Sequence, residues 1–177
     1  MKTLVVIDMQ NDFIDGPLGT KEAVAIVPRV QKKIEEYVTS GNNVIFTRDT
    51  HGSNYLNTNE GKHLPVIHCV HNTHGWCIHK DIQSQFGTII IDKPTFGYTE
   101  WEAFSDLLYV DEIELVGVCT DICVVSNALI LKAVYPEVNI TVDASCCAGV
   151  TPESHMAALT TMKMCQINVI GEDGEQL

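Results

Sequence analysis

Short apolar runs alternate along this chain with stretches of helical period. Leu4-Val5-Val6-Ile7 is strand-sized and leads into a turn-rich segment, Asn11 to Thr20. From about Ala23 to Thr39, Val24, Val27, Val30, Ile34 and Val38 recur at three- and four-residue spacing, which predicts an amphipathic helix. Ser40-Gly41-Asn42 suits its end. Asn43 to Thr47 and Thr88 to Ile91 read as the second and third strands, with Leu107 and Leu108 ending a helix. Ile113 to Val118 reads as a fourth strand and Asp121 to Ala133 as a helix. Val138 to Val142, a helix from about Pro152 to Met164, and Ile167 to Ile170 complete the pattern. Such alternation predicts an α/β fold, a parallel sheet with helices on both faces. No linker, repeat or low-complexity tract interrupts it, so residues 1–177 are expected to form one domain.

The exception is Asp49 to Gln85, a long stretch with little periodicity that holds six of the seven histidines. Loops of that length in a compact domain are usually functional. In an open parallel sheet, sites form outside the carboxyl ends of the strands. Here the first run ends at Asp8, the second at Arg48-Asp49-Thr50-His51, the third at Asp92-Lys93, and the fourth at Gly117 to Cys123. A carboxylate, an amine and a thiol thus converge on one edge as Asp8, Lys93 and Cys123. Cys123 falls in the first turn of the predicted helix, with Thr120 as a plausible cap. Unpaired N–H groups, the helix dipole and a nearby Lys93 ammonium would all favour its thiolate. Asp8 is placed to take the thiol proton and pass it to a leaving group. The Cys123 N–H and another from the preceding turn are candidates for an oxyanion hole. Cys146, Cys147 and Cys165 read as small core residues, and Cys119 as a backbone contributor.

A second group comprises Asp49, His51, Glu60 and His68, with His63 as the alternative to Glu60. Mixed imidazole and carboxylate donors suit Zn²⁺, with Mn²⁺ or Fe²⁺ as alternatives. Phe13, Trp76 and Phe96, with Val118 at a strand end, are candidates to wall a flat apolar pocket.

Composition narrows the field mainly by exclusion. Twenty-three acidic against 11 basic side chains give a formal charge of −12, with no basic cluster to hold nucleic acid. No run is long and apolar enough to span a bilayer, and the first residues lack the apolar stretch of an export signal. The chain is therefore expected to be cytoplasmic, with its seven cysteines mostly reduced. No phosphate loop or dinucleotide fingerprint appears.

Four segments resemble those of the isochorismatase-like cysteine hydrolases. They are Val5-Val6-Ile7-Asp8-Met9-Gln10-Asn11-Asp12-Phe13, Ile91-Asp92-Lys93-Pro94-Thr95-Phe96, Gly117-Val118-Cys119-Thr120-Asp121-Ile122-Cys123-Val124, and Asp143 through His155. The resemblance spans essentially the whole chain, with the motifs in the family's order. It implies a three-layer α/β/α fold with a six-stranded, mostly parallel sheet and an Asp8-Lys93-Cys123 triad. It also implies a cis peptide before Cys119 and an oxyanion hole from the Cys119 and Cys123 N–H groups. Asp49-x-His51 and His68-Cys69 resemble the metal site of nicotinamidases, whose ion orients a pyridine carboxamide toward the thiol. A third histidine of that pattern is Asn57 here, and Glu60 stands in for it. Leu64-Pro65 and Lys93-Pro94 also depart from the pattern. The implied activity is metal-dependent hydrolysis of nicotinamide to nicotinate and ammonia, in a homodimer or homotetramer. The alternatives are another cysteine amidase or ureidohydrolase acting on a different small carboxamide, and a catalytically silent metal-binding oligomer.

Overall fold

Residues 1–105 and 109–172 are described by a computed structural model; Leu107 and Leu108 lie outside them. Six strands form one sheet: β1 (Lys2–Ile7), β2 (Asn43–Asp49), β3 (Ile89–Lys93), β4 (Glu112–Val118), β5 (Asn139–Ala148) and β6 (Asn168–Ile170). Their order is β3-β2-β1-β4-β5-β6, and every pairing is parallel. The chain winds outward from β1 to one edge, then returns to lay β4 on the other side of β1. That reversal opens a crevice at the carboxyl ends of β1 and β4.

Period-two alternation sorts the β1 side chains between two cores. Leu4 and Val6 pack with Val44, Phe46 and Val116 against the helix Lys21–Thr39. Val5 and Ile7 pack with Leu115 and Val142 against the helices Val125–Val134 and Pro152–Met164. Both faces of the sheet are therefore covered, which is why its strands read as continuous apolar runs.

The long helix differs from its sequence pattern in one respect. Its inward stripe is Ala23, Ile26, Val27, Val30, Ile34 and Tyr37, whereas Val24 is exposed. The Thr20 hydroxyl accepts from the Ala23 N–H and sets the start two residues before the apolar stripe. Pro28 is tolerated inside the helix because it lies on the exposed face, where solvent can satisfy the carbonyl that loses its partner. β5 runs to Ala148, six residues past its predicted end, with a register shift opposite Leu115–Gly117. The predicted helix at Asp121 begins instead as a single π-helical turn, Thr120–Val124, before regular helix resumes. Such turns often mark functional sites. At Gly117, φ is +120° and a Cβ would lie 2.1 Å from the Ile7 carbonyl oxygen, so only glycine lets β4 sit this close to β1. No described helix is long and apolar enough to cross a membrane.

One charged cluster is buried between the long helix and the sheet. Lys33 Nζ lies 2.7 Å from Glu114 and 2.5 Å from Asp143, and Tyr37 donates to the other Glu114 oxygen at 2.5 Å. Burial disfavours the Asp143 charge, but the Lys33 ammonium and the Ser145 hydroxyl outweigh it and hold the carboxyl below its usual range. Lys33→Met strands two buried carboxylates and is expected to cost about 3 kcal/mol in denaturant unfolding at neutral pH. The Asp143 part of that stabilisation is present above the ordinary aspartate range and lost as pH falls through its lowered folded value. The gap between wild type and variant therefore narrows in acid.

Candidate active site

The first four strands each deliver one polar side chain to the crevice. β1 runs straight into Asp8, which adopts φ +48°, an uncommon conformation outside glycine that turns the chain sharply off the sheet. β2 ends on Asp49 and β3 on Lys93, directly opposite each other in register. β4 ends on Val118, whose bond to Cys119 is cis, and the turn that follows carries Cys123.

The structure brings Asp8, Lys93 and Cys123 together. Asp8 and Lys93 are inaccessible to solvent, with Lys93 Nζ 2.6 Å from Asp8 Oδ2 and 3.6 Å from Cys123 Sγ. The Thr47 hydroxyl donates to Asp8 Oδ1 at 2.6 Å, and the Thr95 carbonyl accepts from Lys93 at 3.2 Å. Burial would drive Lys93 toward the neutral amine, but Asp8 and Asp49 keep it charged. Burial likewise raises Asp8 and pushes the Cys123 thiol well above its ordinary value, with Lys93 offsetting only part of each shift. The sequence pattern points to a thiolate favoured by Lys93; burial in this site works the other way and favours the thiol, with Asp8 at hand to receive its proton.

Beside the trio lie Asp49, His51, Glu60 and His68, whose candidate ligand atoms are all within 4.8 Å of one another. His51 Nε2 is 2.9 Å from Asp49 Oδ2 and 3.5 Å from Glu60 Oε1, and His68 Nε2 is 3.5 and 3.7 Å from the same two oxygens. The Val66 carbonyl holds His68 Nδ1 at 2.8 Å, which aims Nε2 inward. Burial works against charge on Asp49, but hydrogen bonds from His51 and His68 outweigh it and hold the carboxyl well below its usual range. Asp49 Oδ1 and Glu60 Oε1 are buried without a hydrogen bond. Asp49 Oδ1 lies 3.7 Å from Lys93 Nζ, whereas Glu60 Oε1 and Asp49 Oδ2 face the two imidazoles and with them form a donor set that fits a divalent cation. His63 is not in the group; its Nδ1 is held by the Asn59 carbonyl on an exposed helix turn.

A cavity of about 910 Å³ opens over both groups, lined in part by Cys119, Cys123, Phe13, Phe96 and Val118. Trp76 is not on it. The loop carries that ring to the end of β2, where Nε1 donates to Thr50 and the Arg48 guanidinium stacks 3.6 Å from the ring centroid. Arg48 is held there by Asp92 at 2.7 and 3.0 Å, so Trp76 covers an ion pair instead of walling the pocket.

Several residues that shape the site carried no chemical signal of their own in the sequence. Gln10 donates to the Asp49 and Trp76 carbonyls and accepts from the Asp49 N–H, joining the ends of β1 and β2. Asn11 donates to the His74 carbonyl, and Asp12 accepts from the Cys69 N–H. These three neighbours of Asp8 thus pin the long loop that carries His68. Asn127, fully buried, accepts from the Tyr98 N–H and donates to the Phe96 and Cys123 carbonyls. It fastens the cysteine turn to the segment after Lys93. Only its place one helical turn after Cys123 hinted at this.

With the geometry in view, comparison with known proteins places the chain in a class. Residues 2–173 match the isochorismatase domain, and the chain belongs to that family. It is 26% identical to a nicotinamidase/pyrazinamidase from Mycobacterium tuberculosis, over 96% of this chain and 98% of that protein. The pyrazinamidase/nicotinamidase from Streptococcus mutans superposes with a TM-score of 0.84 at 26% identity, covering 96% of this chain and all (100%) of the other. The pyrazinamidase of Pyrococcus horikoshii, solved in complex with zinc, gives 0.78 at 27% identity, over 96% and 98% of the two chains. Within the family the chain stands in the nicotinamidase-like branch, as a hydrolase of the amide C–N bond.

Asn127→Leu, close in size, would orphan two carbonyls and one N–H. It is expected to cost about 2 kcal/mol or more in thermal unfolding and to lower amide hydrolysis. Unchanged stability and turnover would reduce Asn127 to a filler of space.

Proposed function

We propose that the protein is a metal-dependent nicotinamidase, hydrolysing nicotinamide to nicotinate and ammonia through a thioester on Cys123. The observation that carries this reading is the single ammonium of Lys93 between Asp8 and Cys123, at the foot of a cavity that also holds the four-residue donor group. The zinc complex of the Pyrococcus horikoshii relative supports a divalent ion, Zn²⁺ first, with Mn²⁺ or Fe²⁺ as alternatives. Asp49, His51, Glu60 and His68 would hold it, and when bound it supplies a Lewis acid for a ring nitrogen and balances the Asp49 charge.

Cys123 gives its proton to Asp8, and its sulfur forms a bond to the carboxamide carbon while the carbonyl electron pair moves onto oxygen. The Cys119 and Cys123 N–H groups receive that oxygen. The pair returns, the C–N bond breaks, and Asp8 delivers its proton to the departing nitrogen, which leaves as ammonia. A water molecule then adds to the thioester carbon with Asp8 as base, releasing the acid and restoring the thiol. Lys93 stays charged throughout and stabilises whichever of Asp8 and Cys123 is the anion. Burial raises Asp8, which suits a carboxylate that must both take and return a proton. Phe13 and Phe96 flank the space for a flat ring.

Ammonia release from nicotinamide is expected to fall by at least about a thousandfold in Cys123→Ala, and retained turnover would sink the thioester route. Chelation should abolish activity and added Zn²⁺, Mn²⁺ or Fe²⁺ restore it. Hydrolysis of a different amide or a ureide from a small panel, with nicotinamide untouched, would move the substrate elsewhere within the same chemistry. Glu60→Ala is expected to lower metal content by elemental analysis; unchanged content would return Glu60 to the solvated loop.

A further inference from the structure

The segment from Asp143 to His155 has no role in the chemistry above, yet it is tied to the cysteine turn at two adjacent points. Thr120 is fully buried, and its hydroxyl does not cap a helix as its sequence position suggests. Its Oγ1 lies 2.8 Å from Nδ1 of His155, on the helix Pro152–Met164. One residue on, both Asp121 carboxylate oxygens accept from the Val150 N–H, at 3.1 and 3.2 Å. Within the turn, the Cys119 carbonyl accepts from the Ile122 and Val124 N–H groups at 3.1 and 3.0 Å. The peptide joining Cys119 to Thr120 is therefore held from inside by the turn and from outside by His155.

His155 is itself well anchored. Thr151 and Ser154 form a reciprocal capping box at the start of its helix. A Cβ on Gly149 would come within 2.9 Å of the His155 Cβ, so the residue packs directly on the end of β5. Burial lowers its pKa below the ordinary histidine value, which favours the neutral ring.

We propose that His155 is a positioning residue: through Thr120 it fixes the Cys119 and Cys123 N–H groups where a carbonyl oxygen gains charge as Cys123 adds to it. The inference rests on the thiol-addition reading above and extends it to a residue that touches neither substrate nor metal. Oxyanion stabilisation is set by donor geometry, and loss of a whole donor typically costs a hundredfold or more, roughly. A turn freed from His155 keeps its donors but misplaces them.

Two probes of Cys123 separate positioning from general damage. Pyridine-3-carbaldehyde accepts the sulfur at its carbonyl carbon; the C=O π pair moves to oxygen, which takes the thiol proton, and nothing leaves. Iodoacetamide is attacked at a saturated carbon with loss of iodide and builds no charge on a carbonyl oxygen. Aldehyde affinity is read as protection of Cys123 from alkylation. His155→Ala and Thr120→Val are each expected to weaken the aldehyde roughly tenfold or more, with alkylation rates within about twofold of wild type. His155→Asn, whose amide can occupy the place of Nδ1, should restore most of the affinity. Unchanged aldehyde affinity, an equal fall in both probes, or an Asn variant as weak as the Ala variant each overturns the proposal. So does a wild-type protein that the aldehyde does not protect. If His155→Ala fails to fold, Thr120→Val decides from the other side of the bond. Neither probe involves nicotinamide turnover, so a wild type that binds the aldehyde but leaves nicotinamide intact removes the substrate reading only.

Discussion

The buried ammonium of Lys93 is the constraint around which the rest of the site is arranged. A charged amine sealed from water is tolerated only with anionic partners at short range, and here Asp49 supplies one from the adjacent strand and Asp8 another from the end of the strand beyond it. Because Asp8 follows β1, Asp49 ends β2 and Lys93 ends β3, the pairing also requires the three strands to be in register. Cys123 enters the same arrangement from the far side of β1, by way of β4. Sheet order and charge balance are in this sense one requirement. A slip of one residue in β3 would turn Lys93 to the opposite face and leave Asp8 without its counter-charge.

That arrangement explains why one short segment carries so many polar residues. Asp8 belongs to the trio, while Gln10, Asn11 and Asp12 hold the loop after β2 by side-chain bonds to its backbone at Trp76, His74 and Cys69. The two halves of the site, thiol and metal donors, are thereby referenced to the same end of β1. The adjoining His51, Tyr55 and His68 rings pack edge-on or tilted within 5 Å of one another, which fixes the imidazole planes. A donor set placed in this way on packed rings is preorganised for its ion.

Most of the fold was legible in the order of apolar runs, because each buried parallel strand is a local pattern and alternation with helices leaves few topologies. The misplacements have physical causes. Val24 belongs to the apolar spacing but faces solvent, because the helix turns Ile26 and Ala23 inward instead. β5 is longer than its apolar run because Ser145 donates to Asp143 and Asp143 pairs with Lys33, which makes polar residues acceptable inside the strand. Thr120 has the composition of a helix cap, yet its partner is thirty-five residues away.

The sequence by itself determined which side chains reach the carboxyl edge: Asp8, Asp49, Lys93 and Cys123 each follow directly from where an apolar run stops. Only the tertiary structure decided what stands beside them. Glu60 rather than His63 completes the donor group, Trp76 turns away to cover Arg48, Asn127 bridges two loops, and burial favours the Cys123 thiol. The division has one physical origin. Strand ends are placed by a two-residue period written in neighbouring positions, whereas loop paths and proton affinities depend on hydrogen bonds and burial among residues far apart in the chain.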